Sequence, residues 1–226
     1  MKMKYKSILC MLLFSLIITS CEEEEEGVYN EDIFTSNSWA PEGFVADYDL
    51  TYFYYGQEYI TFEESLDIYE EYEDCELDFV YNYLSTGVAE IVTGSTYCYE
   101  DVPAGTSTQY GTWSVEGDVL SIEYNDDYLS DIEEDDILTD DLGMTFKELS
   151  EDELVLEIVL TEDQLNEYLG DELGQGFSVS GSIIMTITYE SGYVNTSTVT
   201  ARQLKKKATS TIGSRVIKPI IDQLSK

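Results

Sequence analysis

Gly111-Thr112-Trp113-Ser114-Val115-Glu116-Gly117-Asp118-Val119-Leu120-Ser121-Ile122 is the stretch whose reading decides the fold. Trp113 and Val115 alternate with polar neighbours, Glu116-Gly117-Asp118 is a turn signal, and Leu120, Ile122 and Tyr124 bring the chain back with the same alternation. Successive side chains of a strand point to opposite faces, so the segment predicts a hairpin with one buried face. The pattern recurs on both sides. Tyr48, Leu50, Tyr52 and Tyr54 share one face of a strand. Cys75, Leu77, Phe79, Tyr81 and Tyr83 do the same before a turn at Ser85-Thr86-Gly87 and a return from Val88 to Thr93. Phe146 to Leu149 and Leu154 to Leu160 flank a turn over Ser150 to Glu153, and Gly181 to Tyr189 and Tyr193 to Ala201 form a last hairpin across Glu190-Ser191-Gly192. Nineteen Tyr against three Pro suit strands rather than loops. Consecutive antiparallel hairpins predict a mainly all-β chain, a meander closed as an up-and-down barrel or packed as a small sandwich.

One helix interrupts the strands near residues 162–173. Thr161 is a good N-cap, Glu162 and Asp163 sit at the positive end of the dipole, and Leu165, Leu169 and Leu173 repeat at four-residue spacing before Gly174. Residues 125–141 form an acidic insert with nine carboxylates, read as a loop.

The N-terminus carries an address. Lys2, Lys4 and Lys6 precede an apolar run from Ile8 to Ile18, too short to span a bilayer, and Ile18-Thr19-Ser20-Cys21 matches a lipobox. Residues 1–20 are read as a cleaved lipoprotein signal, and Cys21 as the lipidated first residue of the mature chain. Residues 21–36 then form an acidic tether that begins with Glu22 to Glu26, followed by a β-domain over 37–201 and a basic tail over 202–226. The acidic run behind the cysteine resembles the export signal of surface lipoproteins in Bacteroidetes. The expected location is the bacterial outer membrane, on its periplasmic or its cell-surface side.

Charge is segregated. Of 47 acidic residues all but Asp222 lie between Cys21 and Ala201, which leaves 47 − 1 = 46 there against the single base Lys147, a net of 1 − 46 = −45. Nucleic acid and anionic membrane surfaces are disfavoured as partners of such a body. The seven bases of the tail, with Ile212, Val216, Ile217, Ile220, Ile221 and Leu224 spaced like one helical face, predict an arm lying on that acidic body. Contact with anionic lipid or glycan is the alternative for the tail.

Cys75 and Cys98 are the pair left after Cys21 is lipidated, and an oxidising compartment predicts a bridge between them. It would close a loop of 98 − 75 + 1 = 24 residues, contributing roughly 3 kcal/mol in the chain-entropy model.

Asn37-Ser38-Trp39, Cys75-Glu76-Leu77-Asp78, the hairpin over 111–122 and the run Phe146-Lys147-Glu148-Leu149-Ser150-Glu151-Asp152-Glu153-Leu154-Val155-Leu156 together resemble the lipocalin-like lipoproteins of Bacteroidetes, across about residues 35–160. The resemblance implies a lipocalin-like antiparallel barrel with largely unassigned activities. The acidic insert, the helix after Leu160 and the basic tail depart from that pattern.

No histidine is present, which excludes Ser-His-Asp and Cys-His machinery, so the chain is expected not to be an enzyme. Asp131, Glu133 and Asp135 alternate like the start of a calcium loop, but the sixth position is Asp136 instead of Gly and the twelfth is Leu142 instead of Glu. No cofactor is expected beyond weakly bound Ca²⁺. Trp39, Phe79, Tyr81, Tyr83 and Trp113 either line a pocket for a small apolar molecule or fill the core with their own rings. The expected function is therefore non-catalytic, either ligand binding inside a barrel or contact with a protein or glycan at the cell surface, as in adhesion or a nutrient-uptake complex. The charge itself generates a prediction. Self-repulsion of −45 without internal counter-charges predicts a Tm that rises with NaCl, and a thermal melt flat across salt would contradict it.

Overall fold

The structure is a computed structural model that describes residues 27–69, 78–94, 104–125, 142–173, 175–192 and 216. Its elements are α1 (Glu31–Ser36), β1 (Ser38–Tyr54), β2 (Gln57–Asp67), β3 (Val80–Tyr83), β4 (Val88–Val92), β5 (Ser107–Glu116), β6 (Val119–Tyr124), β7 (Met144–Leu149), β8 (Glu153–Leu160), α2 (Glu162–Leu173) and β9 (Phe177–Gly192). Every pairing is antiparallel. From β3 to β9 each strand lies beside the next, and β1 joins both β3 and β9, so eight strands close into a barrel and β2 is an extra strand on β1. The barrel, not the sandwich, is the architecture.

Closure is made by β1 and β9, which pair continuously from Ser38↔Gly192 to Tyr54↔Phe177 apart from a bulge at Pro41 and Gly43. Proline lacks a donor for the ladder and is tolerated at such an irregularity. Glycine is required at Gly181 (φ 115), because a Cβ there would lie 1.9 Å from the Asp49 carbonyl oxygen. Along β1 the inward face reads Phe44, Ala46, Tyr48, Leu50 and Tyr52, all buried, as period two requires. Tyr54, expected on the same face, is exposed beyond the barrel rim. The 111–122 hairpin forms as read, with Val115↔Leu120 and Glu116↔Val119 flanking Gly117, whose φ of 63 suits the first position of a two-residue hairpin turn.

Three expectations are corrected. Glu190-Ser191-Gly192, expected to turn, continues β9, because Ala40, Trp39 and Ser38 pair with these residues to close the barrel; residues 193–201 lie outside the described residues. The strand expected from Cys75 is described only from Val80, with Asp78 in a turn. Residues 27–36, expected as tether, belong to the folded body. Asn30 caps α1 by accepting from the Ile33 N–H, the Tyr29 N–H donates to Asp118 Oδ1, and Phe34 has no exposed surface. The Phe34 ring stacks on Tyr83 at 4.5 Å between centroids and meets Trp113 and Phe146 edge-on. This short helix thus plugs one end of the barrel, and the Trp39 indole N–H donates to its last carbonyls at Phe34 O, 3.0 Å away.

The helix expected over 162–173 spans those residues. Gln164 Oε1 accepts from both the Thr161 N–H and its hydroxyl, one half of a capping box, and Leu165 and Leu169 are buried against the barrel. Asn166 ties the helix to β9 by donating to the Val179 carbonyl and accepting from the Val179 N–H, both at 2.8 Å.

Because Phe34 seals the barrel end with four rings around it, Phe34→Ala should cost about 3–5 kcal/mol. Urea unfolding is the check, and a loss under about 1 kcal/mol would mean that α1 is not an integral plug.

Candidate functional site

The five aromatic residues read as pocket or core fall into the packing. Trp39, Phe79 and Tyr83 are buried, while Tyr81 and Trp113 are partly buried. Trp39 and Tyr83 are engaged by the α1 plug, and the Trp113 indole N–H donates to the Leu84 carbonyl at 3.0 Å. Tyr81 lies edge-on to both Tyr110 and Tyr189. Burial pushes the Tyr83 and Tyr110 phenols well above the ordinary tyrosine range, and the two hydroxyls hydrogen-bond to one another. They stay neutral at any physiological pH, which suits packing and not proton transfer. On the outer wall Trp113 also borders an open groove of about 270 Å³ with Thr112, Ser114, Ser121 and Glu123.

Cys21, Cys75, Cys98, Asp131, Glu133 and Asp135 lie outside the described residues. Val80 pairs with Val92, and a Cβ on Gly94 would overlap Asp78. Among the described residues no three acidic or thiol side chains group as a metal site.

An aromatic cluster that sequence reasoning did not single out stands at the tip of the β1–β2 hairpin. Tyr54, Tyr55 and Tyr59 are 44%, 71% and 60% exposed. The rings interlock: Tyr54 meets Tyr55 at 4.6 Å and Phe177 at 4.7 Å, and Tyr59 stands perpendicular to Phe177 at 6.4 Å. The turn that presents them is Tyr55-Gly56, with φ of 48 and 75. Two consecutive positive values define the two-residue turn that normally selects Asn-Gly. A tyrosine there pays about 1–2 kcal/mol for its Cβ. Tyr55 is the only non-glycine among the described residues with a positive φ. Two contacts hold it. Its N–H donates to the Gly176 carbonyl at 2.7 Å, and its ring lies so close over Gly176 that a Cβ there would come within 2.8 Å of Cζ. Four rings are thereby fixed on a strained turn, with Gln57 and Glu58 exposed beside them.

The signal available in the sequence was Tyr52-Phe53-Tyr54-Tyr55-Gly56-Gln57-Glu58-Tyr59 itself, a glycine turn surrounded by rings. It stayed hidden because β2 has no alternation to mark it: of its eleven residues, only Phe62 is buried.

No family model matches this chain, and no curated protein and no solved structure matches it either.

Proposed function

We propose that the protein is an exported, lipid-anchored, non-catalytic binding module whose barrel is filled by its own side chains and which meets a neutral surface glycan through the Tyr54-Tyr55-Tyr59-Phe177 tip. The observation that carries this reading is Tyr55. A bulky residue at positive φ is disfavoured by the backbone and leaves most of its ring in water, so folding alone does not account for it. Exposed tyrosines offer an apolar face with a polar rim, and they lose little entropy on binding because only two torsions are frozen. Sugar rings present C–H faces to such platforms and hydroxyls to flanking polar groups such as Gln57 and Glu58. A net charge of −45 over the body repels uronic or sulfated chains, which restricts the glycan to uncharged classes.

The turn itself supplies the test. Tyr55→Asn suits the turn better and removes the ring, so stability should hold or rise while affinity falls at least about tenfold. Calorimetry with β-linked hexasaccharides of glucose and of N-acetylglucosamine, against wild type, Tyr55→Asn and Tyr59→Ala, measures this. If wild type binds neither sugar, or the variants bind as well as wild type, the platform is not the site.

A second reading, a small molecule inside the barrel, draws support from two hydroxyls. Among the described residues Tyr52 Oη and Thr108 Oγ1 are buried without a hydrogen-bond partner, and each such group costs about 1–3 kcal/mol unless a ligand or water satisfies it. Native mass spectrometry of protein extracted from its own membranes addresses this reading together with the anchor and bridge. The expected mass is that of the chain from Cys21 with a diacylglyceryl group and two hydrogens fewer for Cys75–Cys98. Additional mass equal to one small organic molecule would favour the interior site, and unmodified Cys21 would sink the anchor.

A further inference from the structure

One strand of the sheet has an open side. β2 pairs with β1 along one edge, with a register shift between Tyr52 and Phe53, and no described strand pairs with its second edge. Nine of its eleven residues are exposed, so the strand stands clear of the body. Such an edge presents a row of backbone N–H and C=O groups, which proteins commonly blunt by shortening the strand or by placing proline or lysine on it. β2 has neither proline nor lysine, and its only charges are Glu58, Glu63, Glu64 and Asp67.

The register sorts the side chains of β2 by face. Glu58, Thr61, Glu63, Ser65 and Asp67 share the outer face with Asp47, Asp49 and Thr51 of β1, and the Thr61 hydroxyl lies 3.4 Å from both Thr51 Oγ1 and Glu58 Oε1. Ile60, Phe62 and Leu66 lie on the other face, with Glu64 as its one charge. Asp49 stands directly opposite Glu63, a like-charge cross-strand pair that opposes folding. The ion pair found among the described residues, Lys147 with Glu157, lies elsewhere and neutralises none of these carboxylates. Folding alone does not account for an open edge that is charged in this way. The carboxylates repel a second copy of this acidic chain, yet they favour a strand that brings cations. Side chains alternate across a strand, so the complementary strand carries a base at every second position and neutral or apolar residues between them. We infer that the free edge of β2 docks an extended cationic peptide segment of another molecule, which adds to the sheet through main-chain hydrogen bonds. Its Lys or Arg side chains lie beside Glu58, Glu63 and Asp67, and its alternate residues lie beside Ile60, Phe62 and Leu66. This site uses neither the rings of the tip nor the barrel interior.

A synthetic peptide of strand length, alternating Lys with Val and Thr, is the probe, and the full mature chain is the target. Two readouts are taken in about 150 mM NaCl, where long-range attraction is screened: affinity by calorimetry, and hydrogen exchange of the backbone amides. The peptide should bind and should slow exchange within residues 57–67, because amides on the open edge gain acceptors. The same peptide methylated on every backbone nitrogen keeps its charge but has no donors for a ladder, and it should bind at least about tenfold more weakly. Glu58→Gln with Glu63→Gln removes two charges beside the edge and relieves the Asp49 repulsion, so this variant stays folded while its affinity falls at least about tenfold. Glu116→Gln with Glu123→Gln removes two exposed charges from β5 and β6, whose edges are paired, and should leave affinity unchanged. Absence of binding, or exchange in 57–67 that the peptide does not slow, would overturn the proposal. So would equal binding of the methylated peptide, or equal losses in the two double variants, since either outcome reduces the attraction to net charge.

Discussion

The ladder between β1 and β9 is the constraint on which the other features rest. It begins at Ser38, two residues after the plug helix, and ends at Tyr54, one residue before the strained turn. Closing the sheet along its longest strand pairs both edges of β9 and leaves β2 with a second edge that no described strand pairs. It also fixes which ends of the chain meet. The helix before β1 must lie under one barrel end, and the β1–β2 turn must project past the other end of the same ladder, beside Gly176 and Phe177. A register slip of one residue would turn Tyr48, Leu50 and Tyr52 outward and carry Tyr54 into the barrel. The close approach of Gly181 to the Asp49 carbonyl pins the register where a side chain would block it.

Charge explains why the interior is so aromatic. With a single ion pair among the described residues, exposed on the β7–β8 surface, stabilisation has to come from burial. Rings remove large areas from water and pair edge-to-face with each other. Phe34, Tyr83, Trp113 and Phe146 do this at one end, and Tyr81 with Tyr110 and Tyr189 within the barrel, where Tyr124 lies tilted against Tyr110. Tyrosine hydroxyls then serve as internal polar links in place of salt bridges. Tyr110 joins Tyr83, Tyr69 reaches the Pro41 carbonyl, and Tyr48 reaches Val216. Such links leave the net charge untouched, as a chain with one body lysine requires.

The parts of the fold legible in the sequence are those where one face is buried and the other wet. The 111–122 and 144–160 hairpins, the β1 alternation and the helix after Thr161 all belong to this class. What escaped was set by tertiary contact. β2 buries only Phe62 and carries no periodicity. α1 is six residues long, and only its burial of Phe34 distinguishes it from a tether. Glu190-Ser191-Gly192 has turn composition, yet pairing with Ser38 to Ala40 from the opposite end of the chain overrides it. The five aromatics weighed as pocket or core were read by residue type alone, and the contacts with the α1 plug and the Leu84 carbonyl that engage Trp39, Tyr83 and Trp113 leave no mark in the sequence. The tip cluster was missed for a further reason: propensity rules discount a tyrosine where asparagine is expected, when its unsuitability is the informative part.

That misfit connects stability to function. A filled barrel with strong closure can carry a local cost of one or two kcal/mol at a hairpin tip, because the sixteen-residue β9 holds the base of the hairpin regardless of its turn. The tip is also where such a cost does least harm to the rest of the chain. It lies beyond the last buried β1 residue, Tyr52, and its rings lean on Gly176 and Phe177 instead of the core.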